Sequence, residues 1–539
     1  MNQGRRCFEY FLVVLLFSAL SLVVLTNALP TFNEPGRDGG FFMYAGDQIA
    51  QGRQLYLDVW DSKGPLIFYI NALGISMGDW LGKDTRWGVW FLEFLFMLAS
   101  ALIGYSVLKR SWGIFPAALG GALGLMSAKQ LLGAGNFTEE YSLLFTWISI
   151  FALYQSAIYP ERKRYPLLMG AMLITSFLIR ANNIGTSAAL LLIWLIKEWR
   201  CNGFKKTVNK ALFVIGGMLL VLMPVLVYFA AIGTLDDMIS ASITYNFSYS
   251  FDARPEANNF NIFKSSLKPA FTFLRIWIIF PTIGFILAIV HGARKLKEKR
   301  ITVLEIALII VWPVEILASS ISGRGYSHYF ISWLPILTLL SGYFFWNVDQ
   351  FALSHNFSEI VNKRKPHLGF GIAILITLYI FSGSFNQYLE TINLFVFNKN
   401  QEIEYTPKIA NYISANTDQD DFVLVWGGQA GINLMSDRNS STAYIYYPLY
   451  TNSPLGITLQ EKFYDDLVKN KPVLIVDAYI DAPDVLPSLD PKVRSEQIIL
   501  YPLANNTQQS LDYITANYEQ INQIDGYTVY RLKSENTVP

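Results

Sequence analysis

Cysteine and charge are both scarce in this chain. Only Cys7 and Cys201 occur among its 539 residues, and both fall in segments expected to face the cytoplasm, which excludes a disulfide framework and a thiolate metal site. Charged residues make up 15% of the sequence, and 42 basic against 41 acidic side chains leave a net charge of +1, which argues against a nucleic-acid partner. There is no solenoid-type repeat and no low-complexity tract. The glycines of GGQAG at 427–431 lack the lysine and the hydroxyl residue of a P-loop and read as a turn. What the sequence has instead is apolar length: 52% of residues are hydrophobic and 15% aromatic, gathered in runs too long for a soluble enzyme. The composition predicts an α-helical polytopic membrane protein.

Residues 9–29 follow the basic start MNQGRRC and are long enough to cross a bilayer as a helix. No small-residue cleavage site precedes Asn33, so this span is expected to remain as an anchor rather than be removed as a signal peptide. Further apolar spans lie near 87–108, 113–128, 140–158, 166–180, 183–197, 211–231, 271–292, 301–320, 329–346 and 369–386, which makes about 11 in all. Basic clusters at 109–110, 162–164, 197–210, 294–300 and 363–365 fall in alternate loops, which the positive-inside rule assigns to the cytoplasm. The N-terminus is then cytoplasmic, and an odd number of spans sends the C-terminus outside.

The expected domains are a transmembrane part over 1–386, whose first external loop runs from 30 to 86, and an extracytoplasmic soluble part over 387–539. Pro65–Trp80 is apolar but short, and counting it as a span would put Lys109 and Arg110 on the wrong side, so it is read as a helix lying in the outer interface. In the soluble part a helix near 409–413 and strands at 422–426, 472–477 and 527–532 predict a small α/β fold.

The outer loops hold polar groups that an anchor does not require. The first carries Asp38, Asp47, Asp58, Asp61 and Lys63; later loops carry GNFTEEY at 135–141, RANN at 180–183 and SGRGYSHY at 322–329. Acids and bases thus converge on one face of the membrane, where a carboxylate such as Asp38 is placed to act on the head group of a lipid-linked substrate. Each also has a plainer reading. Asp38 before Gly39 and Gly40 suits a turn or helix cap; Lys63 suits a snorkelling side chain; Glu139 and Glu140 suit a helix N-terminus; Arg324 and His328 suit a solvated hairpin. Arg180 is the exception, because an arginine at the end of an apolar span is costly unless paired. Asn-x-Ser/Thr sequons at Asn136, Asn246, Asn356, Asn439 and Asn505 are too common by chance to establish glycosylation.

Taken in order, Asp38, the DSKGPLIFY segment at 61–69, NFTEEY at 136–141 and RGYSHY at 324–329 resemble the motifs of the polytopic GT-C glycosyltransferases. The likeness is greatest to the bacterial relatives of protein O-mannosyltransferases and of the aminoarabinose transferases that modify lipid A, and it covers roughly residues 1–390. Two departures stand out: Gly39 replaces the second acid that often follows the first, and Gly64 replaces the first proline after the lysine. The first change makes metal-independent chemistry the expectation.

The resemblance implies an inverting glycosyltransferase of the bacterial cytoplasmic membrane. It would move a sugar from a polyprenyl-phosphate donor to an extracytoplasmic glycan, lipid or protein in cell-envelope glycoconjugate synthesis, with no cofactor. Asp38 would be the general base; Lys63, Arg180, Arg324 and His328 would hold the donor phosphate; Asp61, Glu139, Glu140 and Tyr326 would bind substrate. A transporter or flippase for a polyprenyl-linked glycan, an oligosaccharide ligase or polymerase, and a non-enzymatic assembly protein remain as alternatives.

Overall fold

A computed structural model describes residues 3–247, 259–320, 325–354, 404–445, 454–484, 486–499 and 506–533, with short stretches between 375 and 396 and residue 503. Arg324, the basic cluster at 363–365, most of the span expected at 369–386 and the sequons at Asn356 and Asn505 lie outside the described residues.

The chain divides into two compact units, each discontinuous in sequence. The first comprises Met1–Leu29, Trp90–Val227 and Asn258–Ile403. It is a helical bundle built from α1 (Gln3–Leu25), most of α4 (Thr85–Trp112), α5 (Ile114–Leu132), α6 (Thr138–Ile158), α7 (Arg164–Ile179), α8 (Gly185–Asn202), most of α9 (Phe204–Ala231), α10 (Asn259–Leu274), α11 (Ile279–Lys297), α12 (Val303–Ser320) and α13 (Leu334–Ser354). The apolar runs form helices because backbone groups in hydrocarbon must bond within their own segment. Their ends carry local signals: Gly133 stops α5 with φ +54°, Gly203 stops α8 with φ +81°, and Lys109 and Arg110 occupy the last turn of α4. The interior is packed with Phe17, Trp194, Trp333 and Tyr343, each almost fully buried, whereas Leu212, Leu220 and Val227 on α9 are exposed and form an apolar face.

Seven helices among the described residues are long and apolar enough to cross a membrane. Helix α7 has 16 residues, and α8 carries Lys197, Glu198 and Arg200, so the number of spans stays an expectation, although the apolar runs among the described residues are helices.

The second unit comprises Pro30–Val89, Tyr228–Ala257 and Glu404–Pro539. It joins the first loop after α1 to the C-terminal part of the chain. The loop supplies α2 (Arg37–Ala50) and α3 (Pro65–Trp80), which pack on each other. Proline at the first position of α3 suits a helix start, since its missing N–H is one that the first turn leaves unbonded anyway. The C-terminal part contributes α14 (Lys408–Asn416), β1 (Val423–Trp426), α15 (Ala430–Ser436), α16 (Pro454–Asn470), β2 (Leu474–Asp477), α17 (Thr507–Asn517), β3 (Tyr518–Ile524) and β4 (Tyr527–Leu532). The sheet order is β1-β2-β4-β3, with β1 and β2 parallel and the other pairs antiparallel. Three of these strands match the sequence reading; β3 does not, because YEQINQI is polar and five of its seven residues are exposed, as an edge strand allows.

Candidate active site

In the helical unit three loops meet at one end of the bundle: that between α5 and α6, that between α7 and α8, and that before α13. Arg180 ends α7, and its Nη1 donates to Glu139 Oε1 at 2.5 Å, while its guanidinium lies 4.8 Å from the ring centre of Tyr329. Glu139 is 3% exposed and also accepts from Thr138 Oγ at 2.8 Å. The arginine that sequence reasoning found too costly to be idle is therefore paired with one of the two candidate acids. His328 stacks on Phe137 at 4.7 Å and on Tyr326 at 5.6 Å, so it is held by aromatic faces, and Tyr326 is exposed.

Glu139 and Glu140 are adjacent in sequence but face different surroundings. Glu140 accepts from the Phe137 N–H at 3.4 Å in the first turn of α6, as a capping carboxylate does, and is buried beside Glu93 of α4. Glu93 in turn accepts from the Asn136 N–H, and Asn136 Oδ1 accepts from the Tyr141 hydroxyl at 3.0 Å. Asn136 is buried and bonded, so its sequon is closed in this fold.

A small polar cavity of about 290 Å³, open mouth included, is lined by Glu139, Arg180, Asn182, Asn183, Glu315 and Tyr329 with neighbouring serines. Glu315 of α12 is 2% exposed; it accepts from Thr186 Oγ at 2.6 Å and from Ser332 Oγ at 2.9 Å, and among the described residues it forms no ion pair. Sequence reasoning missed both Glu315 and Glu93. The signal was present: each is a lone carboxylate inside an apolar run, which is expensive in a bilayer without a specific role or partner.

In the second unit, Asp38 lies in the first turn of α2, partly exposed. Asp61 is 2% exposed, and its carboxylate accepts from the Lys63 N–H at 2.8 Å and from Lys63 Nζ at 3.3 Å. Burial raises the Asp61 pKa above the ordinary carboxylate value; the Lys63 ammonium pulls it back, and the charge of Asp38 pushes it up again. Asp38, Asp61 and Lys63 thus share one electrostatic environment. Lys63 Nζ also lies 5.6 Å from the Phe42 ring centre, and the Tyr56 hydroxyl donates to the Lys63 carbonyl at 2.8 Å. Asp47 lies elsewhere, at the far end of α2, where its carboxylate accepts from Gln51 Nε2 at 2.7 Å; Asp58 accepts from the Gln54 N–H at 2.7 Å and closes a turn.

A helical bundle and a four-stranded sheet in one chain make a fold already seen in solved proteins. ArnT from Cupriavidus metallidurans in its apo state superposes with a TM-score of 0.59 at 12% identity, over 96% of this chain and 97% of that one. The same protein solved bound to undecaprenyl phosphate gives 0.58 at 12% identity, over 98% and 99%. The apo oligosaccharyltransferase of Archaeoglobus fulgidus gives 0.50 at 11% identity, over 86% of this chain and 70% of that one. The chain shares its fold with these proteins. Residues 5–356 match the model of the putative competence-induced protein Ccs4 N-terminal domain, and the chain belongs to that family. Comparison with curated proteins gives no match.

Proposed function

We propose that this protein is an inverting glycosyltransferase that moves a sugar from a polyprenyl-phosphate donor to an extracytoplasmic acceptor. The observation that carries this reading is the gathering of Asp38, Asp61 and Lys63 directly after the first helix, in a fold shared with a protein that has been solved with undecaprenyl phosphate. In this reading the acceptor oxygen forms a bond to the anomeric carbon from the face opposite the phosphate. The bond from that carbon to the phosphate oxygen breaks, and its electron pair leaves on the polyprenyl phosphate. Asp38 takes the acceptor proton, a contribution of about 10² to 10⁴ in rate. Lys63 neutralises the charge that grows on the departing phosphate.

Asp61 supports this by its position: it keeps the lysine ammonium in place without a ligand. A phosphate arriving at Lys63 competes with that carboxylate, which ties donor binding to relaxation of the pair. In the helical unit the Glu139–Arg180 pair offers an acceptor and a donor for substrate hydroxyls, with Tyr326 and His328 providing exposed and stacked rings at the same end of the bundle. The charges at helix ends favour transfer over transport, which would call for sites near the bilayer midplane in two related halves.

The test is to incubate purified protein with a panel of polyprenyl-phosphate sugars and an acceptor extract and to identify released polyprenyl phosphate. Asp38→Asn keeps the size of the side chain and removes its basicity. The variant is expected to bind the donor lipid and to lose transfer by about 10² or more. Near-normal turnover in a folded Asp38→Asn protein sinks the assignment of the base.

A further inference from the structure

The C-terminal α/β fold touches both segments that bear the chemistry proposed above: α15 packs on α2, and a short strip, 439–444, reaches both α2 and the residue before the turn at 61–63. Toward α2, the Ser440 N–H donates to the Tyr44 hydroxyl oxygen at 2.9 Å, and Gln48 Nε2 donates to Asn439 Oδ1 at 2.9 Å. Nearby, Gly40 and Gly431 approach so closely that a Cβ on Gly40 would lie 3.0 Å from the Gly431 Cα. Toward the turn at 61–63, the Trp60 N–H donates to the Ala443 carbonyl at 2.9 Å, and the Trp60 ring sits 4.9 Å from Tyr245 and 5.9 Å from Tyr444.

The strip is itself braced against α16. Asp466 accepts from Thr442 Oγ at 3.0 Å and from the Ala443 N–H at 3.3 Å, and Asn470 Nδ2 donates to the Ser441 carbonyl at 2.6 Å. A second hold on the turn comes from Asn246, which follows the π-helical stretch Ser240–Tyr245. Its amide donates to the Ser62 carbonyl at 2.6 Å and to the Ser242 carbonyl at 2.9 Å. Three backbone groups of this turn are bonded by side chains: the Tyr56 hydroxyl donates to the Lys63 carbonyl, the Asn246 amide donates to the Ser62 carbonyl, and the Asp61 carboxylate accepts from the Lys63 N–H.

We infer that the strip 439–444 and Asn246 form a positioning device, which fixes the Lys63 turn relative to the first turn of α2 so that the C-terminal fold acts in transfer through geometry rather than by holding substrate. This rests on the roles proposed for Asp38 and Lys63. The physical need is plain. Asp38 sits on a short helix and Lys63 in an irregular turn, and groups on such segments hold a productive geometry only when other side chains lock them; a misplacement of about 1 Å costs on the order of 10² in rate. Asn246 and Asp466 act through the turn and the strip and are positioning residues. Asn246 is also the asparagine of a sequon whose amide is already committed to two carbonyls, so its use as a clamp excludes its glycosylation in this conformation.

The experiment compares Asn246→Ala and Asp466→Ala with a control, Gln460→Ala, in the full-length protein. Gln460 is on the same helix as Asp466 but bonds to Thr507 at 3.0 Å, away from the strip. Two quantities are read: hydrogen exchange of the Trp60 and Lys63 amides, and kcat and KM with a polyprenyl-phosphate sugar. Both clamp variants are expected to speed exchange at these amides by about tenfold or more and to lower kcat by about tenfold or more per folded molecule at nearly unchanged KM, whereas the control does neither at equal loss of thermal stability. Unchanged exchange in both clamp variants overturns the inference, as does an equal fall in kcat in the control. If exchange rises in the clamp variants while the wild type turns over no polyprenyl-phosphate sugar, the transferase reading fails and the clamp on the turn stands.

Discussion

Arg180 and Lys63 are both cations beside a buried carboxylate, and that pairing governs what their replacement does. Arg180→Ala leaves Glu139, 3% exposed, without its cation. Breaking a buried pair by removing one partner costs about 3 to 5 kcal/mol, whereas removing both spares the stranded charge. The single variant is therefore expected to unfold in detergent at a lower temperature than the Arg180→Ala/Glu139→Ala double variant. Equal melting temperatures for the two would mean that Arg180 and Glu139 do not act as a pair. Arg180→Lys restores the charge but not a planar fork that can bond Glu139 while lying over Tyr329, so it is expected to recover only part of the loss. At this scale the sequence was legible where cost speaks: an arginine ending an apolar run had to have a partner. It was not legible which of two adjacent glutamates that partner is, because one residue of helix, about 100° of rotation, separates a side chain facing Arg180 from one facing Glu93.

Helix α9 offers a comparison at the scale of the element, since two neighbouring glycines meet opposite surroundings. A Cβ on Gly217 would lie 1.9 Å from the Leu167 carbonyl oxygen of α7, whereas a Cβ on Gly216 would meet nothing within 4 Å. Gly217→Ala must push α7 and α9 apart, at a cost of about 1 to 3 kcal/mol. Gly216→Ala relieves the conformational freedom of glycine in a helix and is worth up to about 1 kcal/mol in stability. Thermal unfolding of the two variants is expected to move in opposite directions, and a destabilised Gly216→Ala would place that face of α9 against another element. Element ends followed the same local logic: GlyPro opened α3, and among the described residues the apolar runs between basic clusters are helices with displaced boundaries. Strand β3 escaped because its pairing with β4, not its own composition, makes it a strand.

For the whole molecule, the alternation of basic clusters predicts a cytoplasmic N-terminus and an external C-terminal domain. Alkaline phosphatase fused after Pro539 is expected to be active, and a cytoplasmic reporter at the same place inactive; the reverse result overturns the loop assignments and with them the outer placement of Asp38. The sequence by itself determined the class of protein, its helical runs and the order of its short motifs, because hydropathy and capping are properties of consecutive residues. Only the tertiary structure decided that the first loop folds with the C-terminal sheet, that Asp61 rather than solvent holds Lys63, that Glu139 and not Glu140 holds Arg180, and that Glu93 and Glu315 are buried carboxylates. Asp61 and Lys63 are two positions apart, but their turn closes only in the folded loop; the other facts depend on hydrogen bonds and ion pairs between residues tens to hundreds of positions apart, and no local pattern encodes such a partner.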